Sequence, residues 1–391
     1  GGSAVTSRPA AATPPAGTPA SAGGWSWRAW RDRLLGDERF QRFATAFPLT
    51  RPIARRRARA LFDLMAGFVY SQVLLSCVRL KLFDLLAEGP QPFGELCHRL
   101  DLAEPQALKL LAAAQALDLV ERRGEDWALG SRGAVMGGNA PLVAMIEHHA
   151  SLYRDLADPV ALLRGERGAT ELGRYWAYAD NEQAGALDAQ RVADYSALMA
   201  ASQPLIATQV LDAYPIARHR CLLDVGGGEG VFLCAAARRA PQLRLMLLDL
   251  PAVAERARAR FAQEGIADRA EAIGGDFLNR PLPRGADVAS LVRVMFDHHD
   301  DNAMRILRAV RAALPDDGTL LVAEPMASTR GAEPMGDAYF GFYLMAMGSG
   351  RSRSPQRLSD MLSASGFGDI RQVPTRIPLQ TGLLVARCSR A

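Results

Sequence analysis

Residues 221–230 read CLLDVGGGEG, an apolar run that closes on Asp224 and Val225 and opens into a loop with glycine at 226, 227, 228 and 230. A short apolar run bounded by glycines predicts a buried strand that delivers a tight turn. Three similar runs follow: LRLMLLDLP at 243–251, DVASLVRVM at 287–295 and GTLLVAEP at 318–325. Between them lie stretches of helical period, such as VFLCAAARRA at 231–240 and AMRILRAVRAALP at 303–315. Strand and helix alternating in this way predict an α/β domain, a Rossmann-like parallel sheet covered on both faces. Ligands of such sheets bind beyond the carboxyl ends of the strands, where strand order reverses. The chemistry is therefore expected where these runs end.

What stands at those ends is specific. Glycines 226, 228 and 230 give G-x-G-x-G, whereas the dinucleotide fingerprint needs its third glycine at 231, which is Val231. The loop carries Asp224 and Glu229 and no cation, a poor match for pyrophosphate. It suits a cofactor with an ammonium group and no phosphate, and S-adenosylmethionine fits. The next run ends at Asp249, 21 residues after Gly228, the usual place for a carboxylate on ribose hydroxyls. A third end supplies Asp276 and Phe277 in GGDF, a carboxylate and a ring for adenine.

Upstream, FDLMAGFVYSQVLLSCVRLKLFDLLAEG (62–89) predicts one or two largely buried helices, and its long apolar surface predicts a dimer. PFGELCHRLDL and EPQALKLLAAAQALDLV predict two short helices, and VERRGEDWALG a hairpin bending at Gly124. That order is a winged helix. Its second helix carries Lys109 as its only cation, so it lacks what a reader of nucleic acid needs and is expected to pack rather than bind DNA. The expected organisation is a disordered Ala/Pro/Gly/Ser-rich tail at 1–24, a helical and winged-helix dimerisation and substrate-lining domain at 25–205, and the cofactor-binding domain at 206–391.

Bulk properties set outer limits. Of the 391 residues 49% are apolar, the net charge is a mild +4, and no apolar run approaches the roughly 20 residues that span a bilayer. Five scattered cysteines without a CxxC pair predict a reducing, cytoplasmic setting and no structural metal. RPIARRRARALF concentrates Arg51, Arg55, Arg56, Arg57 and Arg59, which reads as a solvated helix face or as attraction to an anionic membrane surface.

DVGGGEG, LLDLP, GGDF, LVRVMFDHHDDNAMRILR, LLVAEP and GSGRSRS together resemble the S-adenosylmethionine-dependent O-methyltransferases that carry an N-terminal dimerisation domain. The resemblance spans about residues 60–388. It implies a homodimer, and cofactor contacts from Gly226, Gly228, Asp249, Leu250, Asp276, Phe277, Arg293 and Met199. FPLTRPIARRRARALFDLMAGFVYSQVLL, HHASLYRDLADPVALLRG and RVMFDHHDD are similar to the carotenoid-modifying branch of phototrophic bacteria. That implies methylation of a hydroxyl, a tertiary one, on a long apolar carotenoid, in a photosynthetic cell and with peripheral contact to its membrane. Methylation of a bacteriochlorophyll precursor or polyketide, or a DNA-binding regulator with a vestigial cofactor fold, are the alternatives.

One motif departs from the pattern. Where the family has a general-base histidine, this chain has Phe296, and where it often has a glutamate, Ser352; Glu324 does match the carboxylate that steadies the base. His298 and His299 follow at once. One of them takes the proton, or no dedicated base exists, or both merely precede a helix capped by Asp300 or Asp301. A metal site is the least favoured, because adjacent histidines point to different faces. His149, beside His148, and Tyr343 and Met347 in AYFGFYLMAMGSG are expected to line an apolar substrate pocket, in the position that the resemblance assigns to the substrate wall.

Overall fold

The computed structural model describes residues 27–166, 168–174, 189–378 and 381–389. The expected disordered tail, 1–24, lies outside the described residues. The chain forms two compact units, the first ending at Gln72 and the second beginning at Val73.

In the first unit helices Trp27–Gly36 and Glu38–Ala46 lead into the long helix Arg51–Arg79, whose last turns belong to the second unit. Two expectations are corrected here. The long helix contains an 18-residue window of mean hydropathy 1.6, so by length and composition alone it could cross a membrane. It is also not largely buried: only Leu75, Cys77 and Val78 enter a core, while Phe62, Leu64, Met65, Phe68 and Val69 stand exposed. Sequence hydropathy reports that a face wants covering; it does not report whether the chain itself does so.

The second unit holds the winged helix and the sheet. Helices Phe93–Leu100 and Glu104–Ala116 and the antiparallel pair β1 (Val120–Arg123) and β2 (Asp126–Leu129) close around Leu82, Phe83, Leu96, Leu111, Val120 and Trp127. Gly124 makes the bend with φ +64°, a conformation that glycine adopts without steric cost.

The large sheet contains β3 (Cys221–Val225), β4 (Arg244–Asp249), β5 (Ala270–Gly274), β6 (Val288–Val292), β7 (Thr319–Glu324), β8 (Phe367–Val373) and β9 (Gly382–Cys388), in the order β5-β4-β3-β6-β7-β9-β8. The first five are parallel; β9 joins β7 antiparallel and pairs with β8. Side chains alternate between two cores. Leu222, Leu245 and Leu321 face helices 231–239 and 251–263, and Leu223, Met246 and Leu320 face helices 300–313 and 355–364. With both faces covered, the strands become the continuous apolar runs read in the sequence. Strand order reverses between β3 and β6, and the loops after these strands carry the candidate site.

Candidate active site

β3 delivers Asp224, 1% exposed, to the switch point. Its Oδ1 accepts from Ser290 Oγ on β6 at 2.6 Å, and its Oδ2 is buried with no hydrogen-bond partner. Burial above all, with the charge of Asp249 nearby, pushes Asp224 up to about 7 against the pull of Ser290. Asp249, at the end of β4, is also pushed up by burial; the N–H groups of Gly228 (2.8 Å) and Leu250 (2.7 Å) donate to it and oppose that shift. Asp249 thus holds the glycine loop closed while keeping further acceptor capacity. Gly226 is required twice over: its φ is +68°, and a Cβ there would come within 2.8 Å of Val294 Cγ2.

Glu229, which the sequence suggested as a second repellent of phosphate, is spent elsewhere. Arg256 and Arg260 neutralise it at 3.1 and 3.0 Å. The electronegative character of the loop rests on Asp224 and Asp249. Two neighbouring buried carboxylates, one with an oxygen that no donor reaches, make a site short of positive charge and of hydroxyl donors. S-adenosylmethionine, with its ammonium group and ribose hydroxyls, fits this chemistry.

The other expected cofactor residues surround the same point unevenly. A Cβ on Gly226 would lie 3.5 Å from the Phe277 ring, which places that ring over the loop. Asp276 caps its own turn, accepting from Leu278 N at 2.8 Å and from the Asn279 side chain. Arg293 follows β6 with φ +56°, an uncommon conformation for a residue with a Cβ. Its N–H donates to Ala323 O and its Nη1 to Ser202 Oγ at 2.9 Å, which ties the strand end to helix Ala189–Ala213. Met199 is on that helix, but its side chain lies outside the described residues.

Residues 294–300 form a second layer. Phe296 is 7% exposed; its N–H donates to Glu324 Oε2 at 3.1 Å and its C=O accepts from Arg351 N at 2.7 Å. Gly350 crosses so close that a Cβ there would be 2.3 Å from Phe296 O. Glu324 is fully buried, raised to about 7 by burial, and its Oε1 has no partner. His298 is half-buried with its ring edge-on to Phe277, centroids 5.7 Å apart. His299 is exposed and stands immediately before helix Asp300–Ala313. The cap expected of Asp300 or Asp301 is absent, because both lie within the first turn and His299 holds the cap position without a side-chain bond; Asp300 instead accepts from Arg353 and Arg357. Arg353, itself 2% exposed, also donates to Met295 O and His298 O at 2.7 Å.

Facing Phe296 are the aromatics of 334–347. Phe340 meets it edge-on at 5.8 Å, and Tyr339 and Tyr343 stack on one another at 6.0 Å. Both tyrosines are paired to helix Ala140–Asp155: His148 Nε2 with the Tyr343 hydroxyl at 2.8 Å, and His149 Nε2 with the Tyr339 hydroxyl at 2.6 Å. Burial lowers His148 to about 4, with its neighbour His149 adding to the effect; burial lowers His149 too and pushes Tyr339 up to about 12. Burial therefore disfavours a charge on either imidazole and on the Tyr339 phenol. Met347, Leu152 and Leu172 complete an apolar cluster with Phe296 and Tyr343.

The structure therefore brings together Asp224, Gly226, Gly228, Asp249, Leu250 and Phe277 on one side, and Phe296, His149, Tyr343 and Met347 on the other. Three contributors escaped the sequence reading: Ser290, Ser202 and Arg353. Arg353 stood in the quoted GSGRSRS, and an arginine between small residues is a weak signal of a buried clamp. Among the described residues no His/Cys/Asp/Glu group has the arrangement of a metal site.

Comparison with known proteins places these observations. Residues 153–368 match the O-methyltransferase domain and residues 62–133 the O-methyltransferase dimerisation domain. The demethylspheroidene O-methyltransferase of Cereibacter sphaeroides is 43% identical over 355 residues, covering 90% of this chain and 93% of that protein. The enzyme of the same name from Rhodobacter capsulatus is 39% identical, covering 90% and 88%. Among solved structures, a methyltransferase of calicheamicin biosynthesis in its SAH-bound form superposes with a TM-score of 0.69 at 26% identity, over 86% of this chain and 98% of that one. An electronegative glycine loop at the switch point, in a chain whose winged-helix segment matches a dimerisation domain, has one reading: the chain belongs to the S-adenosylmethionine-dependent O-methyltransferases that act as homodimers through an N-terminal dimerisation domain.

Proposed function

We propose that the acceptor is a long apolar alcohol, a hydroxylated carotenoid of the demethylspheroidene type, and that the product is its methyl ether. The observation that carries this is the wall around Phe296. It consists of Phe340, Tyr339, Tyr343, Met347 and Leu172, and its polar atoms are engaged in His–Tyr pairs. Such a wall binds by excluding water, not by hydrogen-bonding a polar scaffold. The names of the two relatives that are 43% and 39% identical point to the same acceptor.

When bound, S-adenosylmethionine supplies a methyl group on positively charged sulfur. Asp224 and Asp249, with the loop at Gly226–Gly228, are assigned to its ammonium and ribose ends, and Leu250, Asp276, Phe277 and Arg293 to the rest of that surface. Phe296, His149, Tyr343 and Met347 orient the acceptor, and orientation in a dry pocket supplies much of a barrier reduction that reaches about 7–11 kcal/mol in favourable cases. Once the acceptor oxygen carries a third substituent its proton is strongly acidic, so water accepts it and no tuned base is needed. Glu324 is assigned to holding the Phe296 backbone, His298 to the cofactor wall beside Phe277, and His299 to the surface.

An acceptor of this kind dissolves in a bilayer, so the reaction is assigned to a cytoplasmic enzyme in peripheral contact with the pigment-bearing membrane. The test is to supply methyl-labelled cofactor with three acceptors: a hydroxylated carotenoid, a bacteriochlorophyll precursor and a phenolic polyketide. Label in the carotenoid alone is the expected result. Label confined to either of the other two overturns the reading.

A further inference from the structure

The charge of this chain is concentrated in one place. Residues 27–61 hold ten arginines against three acidic residues, a net +7, whereas the whole chain carries only +4. The remainder of the protein is therefore net negative. The same 35 residues expose large apolar side chains: Trp27 (70%), Trp30, Phe43 (58%), Phe47, Leu49 (79%) and Ile53. Trp27 and Trp30 pack against each other at 4.9 Å, and Phe43 stacks on Phe47 at 5.5 Å. Arg39, Arg42, Arg55, Arg56, Arg57 and Arg59 are exposed among them. Soluble surfaces scatter such apolar residues singly, whereas Trp and Phe interleaved with Arg is the composition of segments that lie in a membrane interface.

We propose that residues 27–59 form an interfacial docking surface for anionic lipid, with the aromatic side chains entering the headgroup boundary and the arginines meeting lipid phosphates. Charge excludes the simplest rival, a second copy. Self-association here would set +7 against +7, and the matched dimerisation domain begins only at residue 62. The exposed aliphatic Leu49 and Ile53, which neither pair with phosphates nor stack on bases, disfavour a nucleic-acid surface. The purpose of docking rests on the acceptor being a bilayer-dissolved pigment, but the surface can be tested without one.

The full-length dimer, without pigment or cofactor, is mixed with vesicles of pure phosphatidylcholine or of phosphatidylcholine containing phosphatidylglycerol, and sedimented. Binding is expected only to the anionic vesicles, with a blue shift of tryptophan emission, and it should weaken as added salt shortens the Debye length. The triple change Arg55→Gln, Arg56→Gln, Arg57→Gln should lower vesicle affinity roughly a hundredfold, with dimerisation and turnover of a detergent-dissolved acceptor unchanged. Trp27→Ala with Trp30→Ala should abolish the emission shift. No binding to anionic vesicles at low salt overturns the proposal. So does equal binding by the triple variant, a change of oligomeric state in it, or preference for duplex DNA over vesicles. Docking without carotenoid turnover would sink the acceptor reading and leave the surface standing.

Discussion

At the scale of single residues the site is governed by carboxylates that burial keeps from ionising freely. Asp224 and Glu324 are both raised to about 7 from ordinary carboxylate values. A raised folded-state value means that their contribution to stability is full below the unfolded value, near pH 4, and is lost as pH rises towards about 7. Thermal melts of the cofactor-free protein should therefore show stability falling between about pH 4 and 7. Asp224→Asn should flatten that slope, and an unchanged slope in this variant would place the titration elsewhere. The gain in melting temperature on adding cofactor should grow across the same window, because the ammonium group prefers ionised Asp224. Asp249→Ala removes charge-assisted hydrogen bonds worth roughly 1.5–3 kcal/mol, and calorimetry should show cofactor affinity reduced tenfold or more. Unaltered affinity would remove Asp249 from the site. Asp224 and Asp249 were legible in the sequence because each closes an apolar run. Ser290 was not, because a serine inside DVASLVRVM announces no partner until β6 is known to lie beside β3.

At the scale of elements the five parallel strands were readable because burial on both faces makes each an unbroken apolar run. β8 and β9 were not read. FGDIRQV alternates between buried and exposed positions as an edge strand does, and GLLVARC lies isolated near the end of the chain. The segment 294–300 shows the other limit of sequence reading. Its side chains suggested chemistry, but its shape is set from outside by Arg353, Glu324 and Gly350. Arg353 fills a fully buried position, bonding two carbonyls and Asp300. Arg353→Met leaves the two carbonyls without this donor, while Asp300 keeps Arg357, a loss of about 2–4 kcal/mol from the unsatisfied buried groups. Denaturant unfolding should read that loss, and a change below about 1 kcal/mol would mean that the loop holds itself. The π-helical turn Pro334–Tyr339, which carries Tyr339 to His149, belongs to the same class. Such turns often accompany functional sites, and no sequence period predicts them.

At the scale of the whole molecule the first unit carries surfaces that one copy does not cover. Phe62, Leu64, Met65, Phe68 and Val69 fall within the matched dimerisation domain. Light scattering should find a dimer at micromolar concentration, and Leu64→Asp with Phe68→Asp should give a monomer. A wild-type monomer would contradict the dimer, and a dimer that survives both changes would move its interface off this helix. The proposed reaction draws on distant parts of the second unit: the strand ends are assigned to the cofactor, and helices 140–155 and 340–347 to the acceptor wall on Phe296. The central claim is that this wall, and no histidine base, drives transfer. The most direct test is turnover at saturating cofactor from about pH 5 to 9, a range that brackets imidazole titration, for Phe296→Ala, His298→Ala and His299→Ala. The predicted result is near-native turnover for His299→Ala, weaker cofactor binding with little loss of turnover for His298→Ala, and the largest fall for Phe296→Ala. A loss of about a hundredfold or more in either histidine variant, with cofactor affinity intact, would contradict the claim and return the proton to imidazole.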